Sequence, residues 1–284
     1  MKAILIINGI DRLATKLSRD PIIGTQCEVI HMKIQSTKWF ADANGQLVVF
    51  DKSTLETCHE PDLVIWRVGA IKPTKIQEHA LNMIAFTNTT CINSVESLKK
   101  GHDRLSMLNG LIRSSLPVIN FEVFSSTTAA KTALHRRQKP YVIKVGNHHG
   151  GDGKIRVTSS MEEDEAISML NIIDDYFTIE PFIDYDMDVR YMIVGSYEEA
   201  MARKGLGWKA NTRTIGISKI TPDKDIMDGV RQLKDKLGLD MIAVDLLVKD
   251  GQHVAIEYND IPGLVGWPKA EEALLDLVKE RLGL

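Results

Sequence analysis

An apolar segment carrying a single lysine, Tyr141 to Val145 with Lys144, runs straight into Gly146-Asn147-His148-His149-Gly150-Gly151-Asp152-Gly153 and then into a second β-rich segment, Lys154 to Thr158. Glycines this dense disfavour both helix and regular strand, so the segment reads as a loop joining two strands. A Walker loop is excluded because GK[ST] leading into a helix is absent, and a Rossmann fingerprint because a strand follows. Two readings remain. Either the glycines supply positive φ at the turn of a plain hairpin, or the strand cation and the unhindered loop N–H groups converge on phosphate oxygens.

The rest of the chain supplies a frame for that loop. Lys2 to Ile7, Cys27 to Met32 and Leu63 to Arg67 read as strands, and Ile76, Ala80, Leu81 and Ile84 recur at helical spacing between Thr74 and Phe86. Strands alternating with helices predict an open, parallel α/β sheet over residues 1–93. Ser94 opens a helical stretch that runs to Arg113 and is ended by Pro117. The pattern then changes to strand (Val118 to Phe121), helix (Thr127 to Arg137), the two strands about the glycine loop, helix (Glu162 to Leu170) and strand (Phe177 to Pro181), which predicts a small α+β lobe at about 117–180. Strands at Val189 to Val194, Glu199 to Arg203, Met241 to Val248 and His253 to Tyr258 follow, with helices from Lys224 to Leu237, stopped by Gly238, and from Lys269 to Leu282. A chain of 284 residues suits two packed units, here 1–93 and 94–284.

A second constellation lies in the last of these strands. Asp245 sits inside the apolar run Ile242 to Leu247, and a carboxylate so placed needs a partner. Glu257 and Asn259, two residues apart on the next strand, point to one face that Asp245 can join. Three oxygen donors with two carboxylates suit a hard cation such as magnesium, and without it the carboxylates repel one another. The alternative is an exposed polar strand face. His148 and His149 diverge in an extended loop with no third ligand in sight, so they read as polar filler rather than as a metal site.

Composition excludes other classes. A net charge of −3 without a basic stripe argues against nucleic-acid binding. The apolar start is cut short by Asn8, Asp11 and Arg12, and nowhere do about 18 uncharged apolar residues run together, so neither a signal peptide nor a membrane span is expected. Cys27, Cys58 and Cys91 are sparse and widely spaced, which fits reduced thiols in a cytoplasmic compartment.

Taken in order, Lys144 to Val157, Glu180-Pro181-Phe182-Ile183, Asp188-Val189-Arg190, Trp208 to Thr212 and the Asp245/Glu257/Asn259 set resemble the ATP-grasp superfamily over roughly Ser94 to Leu284. The phosphate loop and the Glu180 to Asp184 run look like the nucleotide-binding domain of synapsins. Glu257-Tyr258-Asn259 followed by Pro262-Gly263-Leu264 looks like RimK-type carboxylate–amine ligases. The resemblance implies an ATP-grasp fold preceded by the open α/β domain, with MgATP bound between two lobes. Lys144 would contact the α- and β-phosphates. His149, Gly150, Gly151, Gly153 and Lys154 would belong to the loop over them, and Glu180, Pro181, Phe182 and Ile183 to the adenine hinge. Asp188 matches a position near the ribose, or else a structural cap. Arg190, Arg203, Lys209 and Asn211 line up with groups that face the γ-phosphate and an acyl phosphate, and Asp245, Glu257 and Asn259 with magnesium ligands. One position departs: Asp103-Arg104 stands where the family usually has an aspartate and a lysine, so Arg104 either reaches a phosphate through a fork of donors or is a surface residue, with Lys99 and Lys100 as substitutes.

Two functions follow from the resemblance. One is ATP-dependent ligation of a small-molecule or peptide carboxylate to an amine through an acyl phosphate. The other is a synapsin-like module whose ATP site governs assembly without turnover. Asn8, Trp66 and Arg67, at strand ends, are candidate substrate contacts. A homodimer or homotetramer stays open as the assembly.

Overall fold

The computed structural model describes residues 1–8, 11–51, 58–69, 74–101, 103–148, 152–205, 207–209 and 214–284. Its first third contains β1 (Lys2–Asn8), α1 (Asp11–Arg19), α2 (Ile23–Gln26), β2 (Cys27–Met32), β3 (Thr37–Ala41), β4 (Leu47–Asp51), β5 (Cys58–His59), β6 (Leu63–Arg67), α3 (Lys75–Ala85) and β7 (Thr90–Ile92). The expected open sheet is present: β2, β1, β6 and β7 lie side by side in that order, all parallel. Ile4 to Ile7 are fully buried because the central strand of a parallel sheet is covered on both faces. The hairpin of β3 and β4, to which β5 adds, was not among the expected strands, although β4 carries the unbroken apolar run Leu47 to Phe50.

The stretch from Ser94 forms two short helices, α4 (Val95–Lys100) and α5 (Arg104–Ile112), each started by a side-chain cap, Ser94 on Ser97 N–H and Asp103 on Ser106 N–H. The strand expected at Val118 to Phe121 is not one. Val118 makes only an isolated bridge to Ala255, and pairing begins at β8 (Glu122–Phe124). The apolar character of Val118 and Ile119 reflects burial rather than a ladder.

Next come α6 (Thr127–Arg136), β9 (Tyr141–Val145), β10 (Lys154–Val157), α7 (Ser160–Leu170) and β11 (Phe177–Pro181). The antiparallel sheet β10-β9-β11-β8 has α6 and α7 on one face, packed through Leu134, Tyr141, Ile143, Val157, Leu170 and Ile179. Strand alternation therefore turns Val142, Lys144, Thr178 and Glu180 to the other face.

The remainder builds β12 (Met187–Val194), β13 (Tyr197–Gly205), β14 (Thr214–Ile220), α8 (Lys224–Leu237), β15 (Met241–Lys249), β16 (Gln252–Asn259) and α9 (Pro268–Leu282), with the strands in the antiparallel order β14-β13-β12-β15-β16. One face of this sheet packs Val189, Tyr191, Val244 and Leu246 against α5 and α8. The other changes character along its length. Met192, Val194, Met241 and Ala243 pack on α9 and on the first sheet, whereas Asp188, Arg190 and Asp245, two-residue steps further along the same rows, emerge opposite the Lys144 face of the small sheet.

Asn93 fastens the first sheet to this large one. Its side chain, 1% exposed, donates to the carbonyls of Met241 (2.9 Å) and Asp260 (2.6 Å) and accepts from the N–H groups of Asp240 (2.6 Å) and Met241 (2.8 Å). Asn93→Ala orphans four buried backbone groups and is expected to cost about 3 kcal/mol or more of stability in urea denaturation. A loss below about 1 kcal/mol would mean that water replaces the side chain.

Candidate functional site

The cleft lies between the Lys144 face of the small sheet and the charged end of the large one. β9 and β11 pair so that Lys144 and Glu180 project from the same face, and Arg104 enters from the start of α5. Lys144 Nζ and Arg104 Nη2 each stand 2.5 Å from a different oxygen of Glu180, all three side chains being buried. Burial, with repulsion from Arg104 and Lys154 and against the pull of Glu180, lowers Lys144 to about 8. Burial alone would raise Glu180, but the Lys144 and Arg104 charges outweigh it and hold the carboxylate below its ordinary range. Arg104 is thus a buried member of the cleft and not a surface residue. Lys99 and Lys100, which bond Asn82 and Glu96, take no part in this cluster.

Across the cleft, Arg190, Asp245 and Glu257 stand opposite one another on β12, β15 and β16. Arg190 grips both oxygens of Asp245, through Nε at 2.6 Å and Nη2 at 2.7 Å, and Arg203 adds a contact at 3.2 Å. This is the partner that a carboxylate in an apolar run required. Asp188 accepts from Arg203 Nε at 2.7 Å, so its role in the fold is an ion pair within the sheet and not a cap. Burial and the neighbouring Asp245 charge raise Asp188 to about 6 against the pull of Arg203. Glu257 lies 3.6 Å from Lys154. Burial would raise it, but Lys154, Lys144 and Arg104 together hold it far below the usual carboxylate range.

A β-bulge between Asp245 and Leu246 leaves Ile256 as the extra residue of β16. It brings Ile256 to the cleft beside Lys144 and Asp245, where period-two alternation from Glu257 would have turned it away. Ile256 joins Ile119, Val142, Phe182, Ile183 and Leu247 as the apolar wall of a cavity of about 70 Å³. Val142 and Leu247 follow from Lys144 and Asp245 by alternation; Ile119 and Ile256 had no local signal. Trp208 meets Phe182 edge-on at 6.3 Å, Arg156 lies 5.2 Å over Phe182, and Lys209 lies 4.9 Å over Trp208 and donates to the Lys154 carbonyl at 2.9 Å. Pro181 also lines this cavity.

Gly146 and Gly153, at φ 50° and 63°, bend the chain at the two described ends of the loop, and an added Cβ would strike Asp175 at the first and His148 at the second. Asn147, which carried no sequence signal, accepts from the Arg104 N–H at 3.0 Å and from the Tyr176 hydroxyl, docking the loop base onto α5. His149, Gly150, Gly151 and Asn211 lie outside the described residues. Asn8 and Arg67 make internal bonds: Asn8 accepts from the Ile34 N–H at 2.9 Å, and Arg67 donates to the Pro262 carbonyl at 2.7 Å.

For a hard cation, Glu257 and Asn259 fit best. The Asn259 amide nitrogen is buried without an acceptor among the described residues; exchanging the two ends of the amide turns its oxygen there instead, which a cation would satisfy. Asp245 can contribute only where Arg190 releases one of its oxygens. Among the described residues no group of three or more His, Cys, Asp and Glu is gathered, so the donor set is sparse. Magnesium commonly takes such a set, completing its shell with phosphate oxygens and water.

Residues 102–279 match the family model described as "Synapsin, ATP binding domain". Synapsin of Drosophila melanogaster is 24% identical over 240 residues, 78% of this chain but 23% of its own length, so the chain spans about a quarter of that protein. A probable alpha-L-glutamate ligase of Mannheimia succiniciproducens is 27% identical over 210 residues, covering 72% of this chain and 70% of that one. Among solved structures, a RiPP-associated ATP-grasp ligase of Chryseobacterium gregarium, in complex with ADP and a leader and core peptide, superposes with a TM-score of 0.74 at 14% identity, over 99% of this chain and 97% of that one. A RimK domain ATP-grasp protein of Sphaerobacter thermophilus gives 0.69 at 14% identity, over 97% and 99%. The fold is that of the ATP-grasp proteins, and by the match over residues 102–279 the chain belongs to the family of the synapsin ATP-binding domain.

Proposed function

We propose that this protein is an ATP-grasp ligase that joins a carboxylate to an amine at the expense of ATP, with the nucleotide in the cleft between the small and large sheets. The observation that carries this reading is the gathering of Lys144, Arg104 and Lys154 about Glu180 and Glu257, with Asn259 lining the same cavity as Glu257 and Arg104. Three cations facing an oxygen-donor pair are matched to a triphosphate with its metal, and an apolar wall of Val142, Ile183, Leu247 and Ile256 is matched to a base. In the reaction a carboxylate oxygen attacks the γ-phosphorus and ADP leaves. The amine nitrogen then attacks the acyl carbon, the carbon–oxygen bond breaks and phosphate departs. From an ammonium, a carboxylate and ATP, the products are amide, ADP, phosphate and one proton. Such transfer needs positioning and charge neutralisation more than a protein nucleophile.

Lys144 and Arg104 exchange Glu180 for the inner phosphates, leaving Glu180 free to accept from the exocyclic amine of the base, while Pro181, Phe182 and Ile183 supply the hinge. Lys154 and the loop of His149, Gly150, Gly151 and Gly153 cover the phosphates and exclude water. Arg190 and Arg203, held by Asp245 and Asp188, set the positive end of the site toward the migrating phosphoryl group with Lys209 and Asn211. Glu257 and Asn259, joined by Asp245, would hold magnesium, which supplies charge neutralisation at the phosphates when bound.

The match to a synapsin domain favours a second reading, a nucleotide-binding module without turnover. ADP formation from MgATP across a panel of amino acids and short peptides separates the two: release that depends on both a carboxylate and an amine supports the ligase, and nucleotide binding without release under all pairs supports the module. Lys144→Ala is expected to weaken ATP binding roughly tenfold to a hundredfold in calorimetry, since a charge-assisted contact contributes about 1.5–3 kcal/mol. Because burial holds Lys144 near 8, its charge is present below that pH and lost as pH rises through it. Affinity therefore declines above pH 8 in the parent but not in Lys144→Arg; parallel profiles would remove Lys144 from the phosphate site.

A further inference from the structure

A second cavity, of about 200 Å³, opens where the first sheet, α4, α5 and the end of β16 meet. It shares walls with the nucleotide cleft. Glu257 lines this cavity while its ion-pair partner Lys154 lines the cleft, and Arg104 lines it while Glu180 lines the cleft. A group held here sits next to the phosphate end and away from the base.

Its chemistry is two-sided. Trp66, Val68, Leu81, Leu98, Met107 and Ile261 give it an apolar body. The polar end is acidic. Among the described residues Asp103, Glu257 and Asp260 line it with His148 and with Arg104, which Glu180 already neutralises. Asp103 is occupied in capping α5, and Glu257 faces Lys154. Asp260 faces the backbone N–H groups of its own residue and of Ile261, and among the described residues no cation pairs with it; burial raises it to about 6. The hydroxyl of Tyr258, a residue 4% exposed, is buried without a hydrogen-bond partner among the described residues. Both converge on Gly101, where an added Cβ would lie 2.7 Å from Asp260 Oδ2 and 3.2 Å from the Tyr258 oxygen. Gly101 has an ordinary negative φ, so it is the close packing of these two side chains, and not its conformation, that excludes a side chain there. A buried carboxylate that faces backbone N–H groups but no cation, beside a hydroxyl without a partner among the described residues, suits a cation that donates hydrogen bonds.

We propose that this cavity holds the amine acceptor, and that the acceptor is a primary ammonium on an apolar side chain of about one amino-acid residue. The proposal rests on the ligase reading above. Asp260 takes the ammonium with the Tyr258 hydroxyl beside it, and the apolar walls take the side chain. A cavity of about 200 Å³ is the size of a single residue and not of a folded peptide. An acidic side chain like that of glutamate would be desolvated among apolar walls and repelled by Asp103 and Asp260.

The test is calorimetric titration of the full chain, held with magnesium and a non-hydrolysable ATP analogue, using three probes: L-leucinamide, N-acetyl-L-leucine and L-glutamate. Leucinamide is expected to bind at least tenfold more tightly than the other two. Asp260→Asn should remove that preference while leaving affinity for the ATP analogue within about threefold. Glutamate or N-acetyl-leucine binding as tightly as leucinamide in the parent overturns the proposal, and this comparison needs no variant to fold. An unchanged preference in Asp260→Asn overturns the role of that carboxylate. Saturable analogue binding with ADP release only for acidic amines would sink this proposal and keep the ligase. Leucinamide binding with no ADP release for any carboxylate partner would sink the ligase instead.

Discussion

Glu257→Gln is expected to lower ADP formation by about a hundredfold or more, and also to lower the melting temperature of the nucleotide-free protein. The first effect follows from losing one charged donor to the metal, a charge-assisted interaction of about 3 kcal/mol, which is about a hundredfold in rate or affinity. The second runs opposite to what the sequence implied. Three oxygen donors brought together for a cation should repel one another without it, so removing one would relieve the apo protein. In the fold, however, Glu257 is surrounded by Lys154, Lys144 and Arg104, and Asp245 is neutralised by Arg190. Deleting the charge therefore strands cations. Because its folded-state acidity is strengthened, Glu257 contributes stability above its ordinary value of 4.5 that is lost as pH falls below it. The stability gap between parent and variant should accordingly close on acidification. A variant that melts at or above the parent near pH 7 would restore the repulsion argument, and unchanged ADP formation would remove Glu257 from the metal site.

Arg190→Met is expected to cost about 3 kcal/mol or more of folding stability, because Asp245 is 1% exposed and would be left as a buried charge with only the 3.2 Å contact to Arg203. Urea denaturation measures it. The double variant Arg190→Met with Asp245→Leu should recover most of the loss, since an apolar pair of similar volume needs no counter-charge there. A single-variant loss below about 1 kcal/mol would mean that Arg203 alone suffices to hold Asp245.

Local periodicity alone determined much of this protein. β2, β6, β9, β11 and α8 begin and end where alternation, apolar runs and the Gly238 stop put them, because those signals are local and their reach is one element. The order Lys144, glycine loop, Glu180, Asp245, Glu257 and Asn259 likewise carried the resemblance to the ATP-grasp proteins, since a site assembled on consecutive strands leaves its residues at readable spacing. Tertiary structure decided which charges meet. That Glu180 holds Lys144 and Arg104 together, that Arg190 occupies both oxygens of Asp245, and that Arg104 is buried all depend on contacts 36 to 76 residues apart, beyond any local pattern. The bulge that brings Ile256 into the cleft breaks the period of two on which strand reading rests. Asp260 and Tyr258 meet Gly101 only because the end of α4 lies against the end of β16; in the sequence Gly101 falls inside one expected helical stretch, and Tyr258 and Asp260 lie at and just beyond the end of a strand.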